Sequence, residues 1–313
     1  MKAALALGVV SVAEATIGIF VKLTGDAVPV LALNFYRVFF AVLLLWPLVA
    51  IMERGPIQFP HKNLRDVAII GALIALQISL FNYAMTLTSV ANAVVFWSVA
   101  PFFVGIFSTI FLGERPRPVY ALVFLLAMVG IILAKPVSFA AAAWSPAQLG
   151  NLVALSTGVV YAALVTYLRS EGKTETTVDV LWFMIAATLY LAPTLFLSGF
   201  GDVLATSEIS LFGLAVPVLL WLVGLGMFST GLAYYCIGYV LRHMNANIYS
   251  LIDIIVSPLV AAVLAFLIFR EVPSWSLVLG GGILLFSGAL LTLLRNRAIA
   301  AAPPSPEAPT GTR

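Results

Sequence analysis

Charge is what this sequence has least of. Of its 313 residues only 9% are Asp, Glu, Lys or Arg, where a soluble domain carries about 25%, so a water-soluble fold is excluded. Cysteine occurs once, at Cys236, and histidine twice, at His61 and His243. A single cysteine makes no internal disulfide and no cysteine-based zinc site. Two histidines near expected helix ends fit a membrane interface better than metal ligation. HExxH, GxSxG and phosphate-loop patterns are absent, so nothing points to an enzyme and no cofactor is expected. The net charge of +3 is too small to call for a nucleic acid. What the chain has in abundance is apolar surface, at 62% hydrophobic residues, and the partner this demands is a lipid bilayer.

Runs of about 20 apolar residues match the thickness of a bilayer core. They fall near 3–23, 28–50, 67–87, 91–112, 118–135, 148–169, 178–199, 212–236, 245–269 and 274–294. The expected fold is therefore an all-α integral membrane protein of ten transmembrane helices. Lys2, the apolar stretch to Val12 and Ala13-Glu14-Ala15 imitate a cleaved leader. The apolar run continues to Leu23, however, so the segment is expected to stay as the first span. The end of the chain, 298–313, is rich in Pro and Ala without apolar periodicity and reads as a disordered tail.

Two stretches repeat one design. ANAVVFWSVAPFFVGIFSTIFLGERP (91–116) and IYSLIDIIVSPLVAAVLAFLIFREVP (248–273) each set an acidic residue thirteen positions after a proline: Pro101 and Glu114, Pro258 and Glu271. Asn82-Tyr83-Ala84 is echoed by Gly238-Tyr239-Val240, one residue out of step. Such internal periodicity divides the chain into halves, 1–135 and 136–297, of five spans each. Five is odd, so the second half enters the membrane from the opposite side and the halves form an inverted repeat, as in many secondary transporters. Pro101 and Pro258 are the expected hinges, because proline removes a helix hydrogen bond.

Basic residues set the orientation. With the N-terminus inside, Lys2, Arg54, Lys62, Arg65, Arg115, Arg117, Arg169, Lys173, Arg242, Arg295, Arg297 and Arg313 fall on the cytoplasmic side, against Lys22, Lys135 and Arg270 outside. Twelve against three is a positive-inside bias, which predicts that both termini are cytoplasmic.

The two-fold pattern, the proline-centred spans ending in Gly-Glu or Arg-Glu, Arg37 within LNFYRVFFA and YVLRHMNAN at 239–247 together resemble the drug/metabolite transporter superfamily, and within it the EamA-type exporters. The resemblance covers Leu5 to Leu294. It implies export of a small metabolite by alternating access through a central cavity, in a bacterial or archaeal plasma membrane. Members commonly carry Trp in the first helix where this chain has Glu14. The spacing of Glu14 and Lys22 is similar to that in the small multidrug-resistance proteins, whose first-helix glutamate binds protons and substrate in turn.

Three ionisable side chains lie well within spans: Glu14, Arg37 and Asp253. Charge at that depth costs at least about 2.5 kcal/mol, so each is a functional candidate. Two readings of Glu14 stand, a fixed strut paired with Arg37 and a group that exchanges a proton for a cationic substrate. Asp253, one turn before Pro258, suits a cation site or a brace for the proline kink. Asn34, Gln77, Asn82, Tyr83, Asn92, Trp97, Tyr161, Trp182, Tyr235, Tyr239 and Tyr249 are the candidate cavity wall, where aromatic faces attract cations. The reading is a metabolite exporter, proton-coupled through Glu14. An uncoupled facilitator, a flippase for a lipid-linked substrate and a non-transporting scaffold are the alternatives.

Overall fold

The structure is a computed structural model that describes residues 2–300 apart from 26, 55, 56, 61, 114–117, 135–144, 172–175, 198–207, 212, 244 and 245. The side chains of 53, 118, 120, 121, 197, 241, 242, 246–254 and 295–300 also lie outside the described set. Glu114, Tyr249, Asp253 and the tail from 301 are therefore sequence candidates outside the described residues.

The described residues are mostly α-helix, and eight helices are long and apolar enough to cross a membrane, with two shorter apolar helices beside them. In chain order the passes are Lys2–Ala15 with Ile17–Thr24; Val30–Glu53; Leu64–Leu87; Val90–Trp97 with Ala100–Leu112; Pro118–Ala134; Pro146–Ser170; Thr177–Leu191 with Thr194–Leu197; Val218–Val223 continuing to His243; Ala246–Phe269; and Trp275–Ala300. Local chemistry fixes their ends. Ser145 and Gln148 form a capping box with Pro146 in the first turn, and Thr176 with Asp179 forms another. Gly113 ends the fourth pass in the left-handed region, at φ 67°, where a side chain would be strained.

Two boundaries differ from expectation. The eighth span starts at Val218 rather than at 212, because Glu208–Leu211 (β1) and Leu214–Pro217 (β2) form an antiparallel hairpin turning at Gly213, and Pro217 stands at the helix N-cap. The tenth helix runs through Ala300. It thus passes the point, 298, where composition placed the start of a disordered tail.

The prolines act unequally. Pro101 occupies the first turn of Ala100–Leu112, just after the interruption at Ser98 and Val99, whereas Pro258 sits inside a helix unbroken from Ala246 to Phe269.

Packing follows exchange of the halves. The third pass packs on the sixth, and the eighth on the first; the second packs on the eighth, and the seventh on the third. The second and seventh pack on each other, as do the fifth and tenth. Exchanging each helix with the one five places later maps this set onto itself, the relation a two-fold axis imposes. The fifth and tenth helices meet closely enough that a Cβ on Gly280 would stand 2.3 Å from the Ala134 nitrogen and 2.5 Å from the Gly130 carbonyl oxygen. Small residues at such crossings replace the hydrophobic drive that lipid removes.

Candidate functional site

The site is built around Arg37, which is 5% exposed in the second pass. A guanidinium at this depth is tolerable only if its donors are met. Its Nε donates to Thr230 Oγ1 at 3.0 Å and its Nη1 to Asn82 Oδ1 at 2.8 Å. The Asn82 Nδ2 donates in turn to Asn34 Oδ1 at 2.7 Å. Thr230 belongs to a π-helical stretch, Gly224–Leu232, and its hydroxyl also reaches back to the Leu225 carbonyl at 3.1 Å. Such wide turns recur at functional sites. Gly226 allows this stretch to meet Arg37, since a Cβ there would lie 2.8 Å from the Arg37 carbonyl oxygen and 2.4 Å from the Phe40 Cβ.

Arg37 and Glu14 share one cavity of about 480 Å³. Its mid-depth wall includes Gln77, Phe81, Trp97, Tyr161, Ser229, Tyr234 and Ser257. Ser257 Oγ makes a long contact to Glu14 Oε2, at 3.4 Å. Nearby, Thr16 Oγ1 and Ser229 Oγ stand 2.8 Å apart, tying the first pass to the π-helical stretch. Trp97 meets Tyr161 edge-on at 5.6 Å and Phe81 at 5.8 Å. From there the cavity continues along Leu45, Ile70, Leu168 and Thr177. These residues lie in the parts of the second, third, sixth and seventh passes nearest the end of the bundle that holds Lys2.

The opposite end is closed. Lys22 forms an ion pair with Glu271, and the second carboxylate oxygen of Glu271 accepts the Val90 N–H at 3.0 Å. One side chain thus links the first and ninth passes to the start of the fourth. Val21, Val90 and Leu277 are buried in the apolar cluster at this end.

The sequence candidates separate into groups. Glu14, Arg37, Gln77, Trp97 and Tyr161 line the cavity, and Asn34 and Asn82 are buried behind Arg37. Others fall elsewhere. Tyr83 is 41% exposed on the outer face of its helix. Asn92 bonds Thr88 at the closed end, at 3.1 Å. Tyr239 stacks on His243 at 4.2 Å near the other end. Trp182 donates to the Gln58 carbonyl at 3.0 Å and stacks on Phe59. Tyr235 packs in the cluster between the second, third and seventh passes, while its neighbour Tyr234 faces the cavity. Tyr234, Ser229, Thr230 and Ser257 were missed. Hydroxyl residues are frequent in membrane helices, and a single Ser or Thr carries no depth or facing signal of its own.

The geometry is that of a polar chamber inside a helical bundle. The model of the EamA-like transporter family matches residues 1–135 and 148–294. The chain belongs to the EamA-like transporter family. Membership makes it an integral membrane protein of transport type, in line with its helices. EamA relatives of known role include the pseudopaline exporter CntI from two strains of Pseudomonas aeruginosa. They are 26% and 27% identical over 203 residues, covering 62% of this chain and 69% of theirs. A solved crystal structure has the same fold, with a TM-score of 0.63 over 95% of this chain and 98% of its own at 18% identity. In this EamA chain the first-helix acid is Glu14, and the lysine eight residues on, Lys22, pairs with Glu271 at the closed end.

Proposed function

We propose that the protein is a secondary-active exporter of a small zwitterionic or cationic metabolite, such as an amino acid, working by alternating access with Glu14 exchanging a proton for substrate. One observation carries this reading: Glu14 and Arg37 lie on one cavity of about 480 Å³ that reaches one end of the bundle and is closed at the other. Ionisable groups held at bilayer depth are costly unless function retains them. The positive-inside bias supports a cytoplasmic side for the reached end, which is the side from which an exporter loads. Residues 1–135 and 136–297 are the two units that rock against each other. Pseudopaline export by relatives of this family supports the outward direction.

The test uses purified protein in liposomes. Labelled amino acids and small cations are screened for flux, with currents on a solid-supported membrane recorded with and without a pH gradient, beside Glu14→Gln. Saturable flux driven by the gradient in the wild type and indifferent to it in Glu14→Gln is the expected result. Flux unchanged in the variant would leave a facilitator of the same fold, and flux of no solute would overturn the transporter reading.

A further inference from the structure

We infer that a glycerophospholipid with a zwitterionic, primary-amine head group binds in the crevice between the fourth and sixth passes at the Lys2 end, anchored by Thr166, Arg169 and Glu171. The site lies outside the transport cavity and does not depend on what that cavity carries.

The crevice has a volume of about 320 Å³ and is lined by Phe107 and Phe111 from the fourth pass and by Ala163, Thr166, Tyr167 and Ser170 from the sixth. Spacings of three and four residues place each set on one helix face. Phe107 and Phe111 meet edge-on at 5.8 Å, and Phe111 is 71% exposed, so the crevice opens toward the bilayer. The Tyr167 ring is held from behind, its hydroxyl donating to Asp66 Oδ1 at 2.9 Å. Leu164, Val165 and Leu168 of the same pass face the transport cavity instead. The sixth pass therefore separates crevice from cavity, and a lipid in the crevice braces a cavity wall.

Thr166 carries the polar group that this wall leaves unmet. It is 4% exposed, and its Oγ1 has no hydrogen-bond partner among the described residues. A threonine within a helix can donate to the carbonyl four residues back, as Thr109, Thr157, Thr188 and Thr292 do here at 2.8 to 3.0 Å. Thr166 makes no such bond. A buried hydroxyl costs stability unless something accepts from it, and the ester carbonyls of a glycerophospholipid, on the acyl side of its phosphate, are acceptors at this level.

Charge marks the level of the head group. Arg169 and Glu171 follow Thr166 by three and five residues, about 4.5 and 7.5 Å farther along the axis. Arg169 Nη1 donates to Ser108 Oγ at 2.7 Å, which sets the guanidinium beside the fourth-pass wall. Glu171 lies on the other flank, within electrostatic reach of the Tyr167 hydroxyl. A guanidinium serves several acceptors at once and suits phosphate oxygens, while the carboxylate suits an ammonium. One acyl chain then covers Phe107 and Phe111, gaining by apolar contact.

Native mass spectrometry tests this on the full-length protein in detergent with equal amounts of dioleoyl phosphatidylethanolamine, phosphatidylcholine and phosphatidylglycerol. Phosphatidylethanolamine should be retained about tenfold over the other two, the effect of one charge-assisted hydrogen bond. Glu171→Gln should erase its advantage over phosphatidylglycerol. Thr166→Val keeps the shape of the side chain and removes the hydroxyl. Without lipid it should unfold at the wild-type temperature or above, and on adding phosphatidylethanolamine it should gain less than the wild type. Equal retention of the three lipids, or a Thr166→Val variant that responds to phosphatidylethanolamine as the wild type does, would overturn the inference and leave the transporter reading untouched.

Discussion

Lys22 and Glu271, 249 residues apart in the chain, form an ion pair across the end of the bundle away from Lys2. Glu271 also caps the fourth pass through the Val90 N–H, so one carboxylate holds three helices together in this conformation. In an alternating-access cycle that end must open, and the pair is then a contact made in one state only. A ligand or contact that favours one state shifts the equilibrium by its differential free energy.

Glu271→Gln is expected to favour opening of that end. The half-buried pair and the cap are worth about 1 kcal/mol each, a population shift of about 5- to 30-fold. The reporter is Val90→Cys, buried in this conformation, in a Cys236→Ala background. Its modification rate by a membrane-impermeant thiol reagent should rise with Glu271→Gln, and an unchanged rate would remove the pair from the gate.

Replacing Asn82 with Leu strips partners from both Arg37 and Asn34. Leaving a buried donor unmet costs about 1–3 kcal/mol, and more when the donor is charged, so the variant should unfold at lower temperature in detergent. Thermal unfolding followed by size-exclusion chromatography checks this. Substrate exchange should weaken as well, since the guanidinium loses its fixed plane.

Gly280 and Gly282 make a paired test of the crossing between the fifth and tenth passes. A methyl group on Gly280 would meet the Ala134 backbone, whereas nothing lies within 4 Å of the position it would take on Gly282. Gly280→Ala should lower the yield of monodisperse protein and Gly282→Ala should leave it near wild type. Equal yields would show that the two helices separate easily.

The proposed exchange of a proton for substrate at Glu14 carries a sign. In that proposed cycle the carboxylate binds a cationic group and its protonated form does not, so acidifying the loading side should weaken substrate exchange. Counterflow measured at a series of pH values should show that decline in the wild type, with Glu14→Gln low and flat. A Glu14→Gln profile that still falls with acid would assign the titration to another group.

Hydropathy alone located the passes, because the thickness of a bilayer is written in run length and every residue of a run contributes. The spans near 67–87 and 91–112 became helices at Leu64–Leu87 and Val90–Leu112. The eighth was misplaced at its start, since Leu211 to Pro217 is as apolar as a helix end and only the Gly213 turn and strand pairing remove it. Glu14 and Arg37 stand out in the sequence as charges within apolar runs, and both line the cavity. Facing was not legible. A membrane helix is apolar both toward lipid and toward its neighbours, so no polar stripe shows which side is inside. Successive residues then point about 100° apart, and Tyr234 lines the cavity where Tyr235 was expected. The partners of each charge were decided by tertiary packing alone. Asn82 reached Arg37 and Glu271 reached Lys22 because helices distant in sequence came together, and no local pattern in a chain records which distant side chain will satisfy a buried charge.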